Sequence, residues 1–179
     1  MNFIFFSGRE FITGGGEEYL SRVLVRYIGA SVAYFVAASL WGVVMTIKPV
    51  HDFLEAIGPE FRGMISSGHS HLCEVGWVSF ALMGLLYLAV PKLLEKKLYS
   101  EKVASYQFGL MNVGIIGMVI FLIVAGVLGG NMNIAGASKA EIEAAIAPFM
   151  ILVMIFGIIL FIGFLLFAYN MAKTLTQKT

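Results

Sequence analysis

Polar residues divide this chain into four long apolar runs, at 24–47, 68–90, 107–130 and 148–171. At ~1.5 Å of rise per residue, each run covers the ~30 Å of hydrocarbon in a bilayer. The pattern predicts an all-α integral membrane protein, a bundle of four transmembrane helices. Lys48-Pro49 is expected to end the first run and Pro91 the second, because proline lacks the N–H that continues a helix. In the connection 50–67, HDFLEAIGPEF reads as a short amphipathic helical turn broken at Gly58-Pro59. In the third connection, Ser138 precedes Glu141 by three residues, the spacing of a capping box at a helix start. Gly29, Ala33 and Ala37 recur every four residues in the first run, which predicts a smooth helix face for close approach of a neighbour.

Composition agrees with this pattern. The 179 residues are 59% hydrophobic and only 13% charged, with a mean hydropathy of +0.89. A soluble domain has about 45–50% apolar and about 25% charged residues. The lipid bilayer is therefore the first partner. A net charge of +1 gives no basis for nucleic-acid binding, and one cysteine allows no internal disulfide. The N-terminus, MNFIFFSGRE, has no basic segment followed by a long apolar stretch and a small-residue cleavage site. No signal peptide is expected, and the first span is expected to direct its own insertion.

Charge sets the expected orientation. Arg9, Arg22, Arg26, Lys92, Lys96, Lys97, Lys102, Lys173 and Lys178 fall on one side of the bundle, and only Lys48, Arg62 and Lys139 on the other. The positive-inside rule puts the first set, and both termini, in the cytoplasm. The expected organisation is a cytoplasmic arm at 1–23, a transmembrane domain at 24–172 and a cytoplasmic tail at 173–179. The expected location is the cell (inner) membrane. The second span then enters from outside, with Trp41, His51, Arg62, Asn131, Asn133 and Lys139 near its outer end.

The second run carries the chemistry. GHSHLCEVGWVSFALMGLLYLAVP holds His69, His71, Cys73 and Glu74 within six residues. Ionisable side chains are costly in hydrocarbon and mark functional sites there. His69 and His71 are ~200° apart on a regular helix, so they face nearly opposite ways and do not share one metal ion. The His69 face continues through Cys73, Gly76, Phe80, Gly84 and Tyr87, small residues beside aromatics where a flat ring has room. The His71 face continues through Glu74, Val78 and Leu82, with Glu74 placed to orient His71 or take its proton. A haem needs a histidine nitrogen, an apolar slot and cations for its propionates, and Arg62 reads either as a solvated loop charge or as an outer-side cation for the last role. Met64 is the methionine on the approach to the histidines, and Trp41 and Trp77 flank them as packing or interface residues. Copper is disfavoured, since His69 with Cys73 is the single ligand pair on one face. Zinc-protease, P-loop and dinucleotide signatures are absent.

The stretch HSHLCEVGWVSFALMGLLYLAVP resembles the second transmembrane helix of haem–copper oxidase subunit I, above all its nitric oxide reductase and cbb-type branch. There a helix begins with histidine near the outer surface, carries tryptophan one to two turns on, and has a glycine seven residues before a terminal proline. Gly84 and Pro91 match that spacing, and Tyr87 falls in the tyrosine-bearing part of the pattern. The resemblance covers residues 24–172, the first four helices of that family, and also extends to short stand-alone relatives. It implies that His69 or His71 is an axial ligand of a b-type haem, with the spacing favouring His69. The family's second low-spin ligand and catalytic centre lie on later helices, so this chain alone is not expected to reduce oxygen or nitric oxide.

The expected function is a membrane b-type cytochrome moving electrons between an outer donor such as cytochrome c and a partner or quinone. The second axial ligand is expected from His51, a methionine, the other histidine, a second copy in a homo-oligomer, or a larger redox complex. Two other readings compete. One is a non-redox subunit stabilising a larger complex, supported by the glycine-rich first and third spans. The other is a haem-based gas sensor with an open iron position.

Overall fold

The computed structural model describes residues 15–177. It is helical from end to end. Helix α1 is Gly15–Thr46, α2 is Lys48–Ala56, α3 is Pro59–His71, a π-helical segment is Leu72–Ser79, α4 is Phe80–Leu93, α5 is Glu101–Ile134 and α6 is Lys139–Thr176. Four continuous helices are long and apolar enough to cross a membrane, and α3, the π segment and α4 together form one of them, Pro59–Leu93. The expected four-helix membrane bundle is therefore the observed fold class.

The sequence boundaries move outward. The second span begins nine residues earlier than the apolar run, because Gly58 at φ 87° breaks the chain and Pro59 opens a new helix there. The connection 50–67 is thus mostly helix, and His69 and His71 lie within the helix Pro59–Leu93 rather than at its start. Pro91 does not stop this span. It sits within α4, which closes two residues later in a turn with Glu95 at φ 52° and Lys96 N–H bonded to the Pro91 carbonyl. Residues 15–23, expected from sequence to be part of an arm, are helical, while 1–14 of that arm and the last two residues of the tail lie outside the described residues. The Ser138–Glu141 capping box is present and starts α6. Helix α5 ends in a Schellman turn, with Gly136 at φ 79° and Ala137 N–H bonded to the Met132 carbonyl.

The spanning helices pack as a row, α1 against the π segment and α4, α3 against α5, and α5 against α6. Lipid gives helices no hydrophobic reason to associate, so close packing and internal hydrogen bonds must hold them. Glycines make the close contacts. A Cβ at Gly114 would lie 2.7 Å from the Leu160 backbone, and one at Gly117 would enter the Phe156 ring. Gly126 and Gly129 accept Ile65 and Phe61 in the same way. Polar groups pin the opposite end. Tyr27 and Tyr87 both donate to the Gln107 side-chain carbonyl, and Asn170 exchanges hydrogen bonds with the Ser100 backbone.

The expected small-residue stripe on α1 is not a contact face. Gly29, Ala33 and Ala37 are exposed, and a Cβ at Gly29 would touch nothing within 4 Å. Helix α1 instead buries Val23, Tyr27, Ser31, Tyr34 and Ala38. The reason is reciprocal shape: large α1 side chains enter notches on the partner helix, Tyr34 over Gly76 and Tyr27 over Gly84.

The α5–α6 seam generates a stability prediction. Gly114→Ala drives a methyl group against the Leu160 backbone and costs about 1–3 kcal/mol or more. Gly109→Ala enters open space. Thermal unfolding in detergent checks this: a fall of several degrees is expected for Gly114→Ala and none for Gly109→Ala. Equal melting points would contradict the packing argument.

Candidate functional site

Helix α3 turns Ser67 to His71 toward two different neighbours just before the π segment begins. His69 faces α1. Its Nδ1 lies 3.0 Å from the Ala38 carbonyl oxygen. A carbonyl only accepts, so Nδ1 carries a proton in this contact, and in the neutral imidazole the lone pair is then on Nε2. Gly42 makes this contact possible. It is four residues after Ala38, and its Cβ would lie 3.1 Å from His69 Cε1. With no side chain there, the Ala38 carbonyl is open to the imidazole.

His71 is held in the same tautomer by its own helix, with Nδ1 2.7 Å from the Ser67 carbonyl oxygen. Both histidines therefore offer Nε2 as a base. Metal-ligating histidines have this arrangement, with the far ring N–H given to a carbonyl or carboxylate that fixes the ring. His69 Nε2 has Cys73 Sγ 3.7 Å away, a weak thiol contact on the same side. The two imidazoles do not converge. No group of three or more His, Cys, Asp or Glu that could hold a metal ion occurs among the described residues.

The π segment starts immediately below. Within it, Ser79 Oγ donates to the Glu74 carbonyl oxygen five residues back at 2.8 Å. The segment also turns Trp77 outward, where its ring packs on Phe35 at a centroid distance of 4.5 Å. The Trp77 backbone carbonyl accepts from Ser31 Oγ at 2.9 Å, tying the π segment to α1. Glu74 is exposed on this face.

Gly76 is not open to a flat ring. Tyr34 fills it, so the smooth face expected below His69 is used for helix packing. Trp41 lies on α1 between Ala38 and Gly42. Its indole Nε1–H is buried without a hydrogen-bond partner. An orphaned buried donor is rare and calls for an acceptor. Arg62 lies two turns above His69 on α3 and pairs with Glu55 of α2, which also has His51 at 3.9 Å. His51 therefore lies beside this surface ion pair. The unpartnered Trp41 N–H and the two fixed tautomers have no signature in sequence, since both depend on which backbone carbonyls the helices bring near. Together these residues fit an axial base with an anionic group near Trp41.

The chain is similar in sequence to known proteins over most of its length. Residues 6–159 match the family described as Cytochrome C and Quinol oxidase polypeptide I. The chain is 29% identical over 171 residues to the cytochrome c oxidase subunit 1 homolog, bacteroid, of Bradyrhizobium diazoefficiens, covering 91% of this chain and 30% of that protein. It is 28% identical over 176 residues to the cbb3-type cytochrome c oxidase subunit CcoN1 of Stutzerimonas stutzeri, covering 94% and 36%. A nitric oxide reductase subunit of the same organism is 25% identical over 152 residues, covering 80% and 31%. The chain thus spans about a third of the length of the relatives it matches.

The His69 geometry is testable without a cofactor. Nitrogen-15 shifts of the imidazole in cofactor-free protein should show His69 protonated at Nδ1. Gly42→Val pushes the ring from the Ala38 carbonyl and should abolish that signature while His71 keeps its own. A wild-type His69 protonated at Nε2 would contradict the assignment.

Proposed function

We propose that this chain, which belongs to the cytochrome c and quinol oxidase polypeptide I family, is a b-type haem-binding membrane subunit for electron transfer. The supporting observation is the 3.0 Å contact of His69 Nδ1 with the Ala38 carbonyl, which directs Nδ1 to its own helix pair and leaves Nε2 as the nitrogen for a ligand. His69 is assigned as the iron ligand. It faces a second helix, and the spacing to Gly84 and Pro91 favours it. His71 is the alternative, with the same tautomer but a tie only within its own helix.

A haem supplies one-electron exchange between its two iron oxidation states. The chain's residues position it and tune it. The Ala38 carbonyl holds the imidazole ring in one orientation and increases the basicity of Nε2. Trp41 Nε1–H, buried without a partner, would hold a propionate. Arg62, held by Glu55, retains further N–H groups for the second carboxylate. A second ligand for the iron would be supplied by a second copy or by a member of a larger redox complex. A quinone or a cytochrome c is the class of exchange partner. The haem side is the outer half of the cell membrane, by the distribution of Lys and Arg.

Haem content of variants purified from haem-replete cells tests this. His69→Ala should lose haem, and His71→Ala should keep it. Trp41→Phe should keep the fold and raise haem dissociation about tenfold, the loss of ~1.5 kcal/mol expected for a hydrogen bond to a charged group. Full haem content in a protein lacking both histidines would overturn the reading.

A further inference from the structure

Glu74 has no place in a single copy of this chain. Its depth follows from its neighbours. Trp77, one turn below, packs on Phe35, and His69, five residues above, bonds to Ala38. Glu74 therefore lies between the levels of Phe35 and Ala38 on α1. Ala38 is ~18 Å along the helix from Arg26 and ~15 Å from Lys48, by residue count and ~1.5 Å of rise. That is close to the middle of the span. At this depth the Glu74 side chain is exposed, without a hydrogen bond or ion pair to its carboxyl group among the described residues. The exposed neighbours on its face are Trp77, Val78 and Leu82, at 41%, 44% and 53% exposure. A carboxyl group facing hydrocarbon costs several kcal/mol, and such groups face protein or water instead.

We propose that this face is covered by a second copy of the same chain, in an isologous contact along α3 and the π segment. The argument is complementarity along one helix face. Ser70 is four residues before Glu74 on that face and is exposed. Its hydroxyl has one long bond, 3.5 Å, to the Ser66 carbonyl. His71 is half-buried one turn from Glu74, and no partner lies at its Nε2 among the described residues. In a two-fold contact, Glu74 of each copy meets Ser70 and His71 of the other, so residue i touches j and j touches i. The serine hydroxyl donates to the carboxylate. The His71 Nε2 and the carboxyl group share a hydrogen bond. Both copies are satisfied at once with no outside residue. Smaller residues leave room for the approach. A Cβ at Gly63 would touch nothing within 4 Å, and Ser66, Ser67 and Ser70 continue the shallow surface down to Glu74.

Oligomeric state in lipid nanodiscs, read by single-molecule photobleaching, tests this independently of haem content. Wild-type protein should be dimeric, and Glu74→Leu should reduce the dimer fraction at least tenfold at equal density. Bis-maleimide cross-linking in native membranes gives the second readout, in a Cys73→Ser background. Ser70→Cys should link two copies, and Ile158→Cys, exposed on α6, should not. A monomeric wild type, a dimer unaffected by Glu74→Leu, cross-linking through α6, or Ser70→Cys linking only to a different protein would each overturn the proposal.

Discussion

The hydrogen bond from His69 to the Ala38 carbonyl joins the fold to its chemistry. In a helix that carbonyl already receives an N–H from four residues on. It accepts a second donor only if the side chain of that residue leaves space, and Gly42 leaves it. The bond needs α1 at a fixed height against α3. That height is set by Tyr34 seated over Gly76, Tyr27 over Gly84 and Ser31 bonded to the Trp77 carbonyl. A change anywhere along this seam is felt at the imidazole. The histidine tautomer is thus a property of the helix pair rather than of one residue.

The second span carries two departures from regular helix within a few turns. Gly58-Pro59 starts it early, and the π segment widens it directly after His71. The early start places the histidines inside the span. The wide turn rotates everything below relative to everything above, so Gly76 meets α1 while Glu74 and Trp77 face outward. π-helical turns are energetically poor and persist where function repays them. Here the segment follows a candidate iron ligand and contains an unsatisfied carboxyl group, Glu74.

Much of the fold is legible in the apolar runs. Four stretches of membrane-spanning length, Gly58-Pro59 and the Ser138–Glu141 box specify the helices, one break and one start. The helix extents are not legible, because amphipathic interfacial turns such as 59–67 carry too many polar residues to read as span. The contact face of α1 departs from the sequence expectation for a physical reason. Small residues at spacing four mark a smooth face, but which helix supplies the notch and which the knob depends on the partner's side chains. At the site, sequence singles out His69, His71, Trp41 and Arg62 by residue type. It has no access to the carbonyls that fix the two tautomers, to the orphaned Trp41 N–H, or to the ion pair that holds Arg62. Nor does it separate Gly76 as a ring slot from Gly76 as a seat for Tyr34.

The central claim is that the protein holds a haem at stoichiometric content. The most direct test is a reduced-minus-oxidised optical spectrum of protein purified from haem-replete cells, with a pyridine haemochrome assay. A sharp b-type α band with haem in fixed proportion to protein, whether one per chain or one per dimer, is the predicted result. Protein without haem, from cells that load their other membrane cytochromes, would contradict the account and leave the two histidines as a helix-packing device.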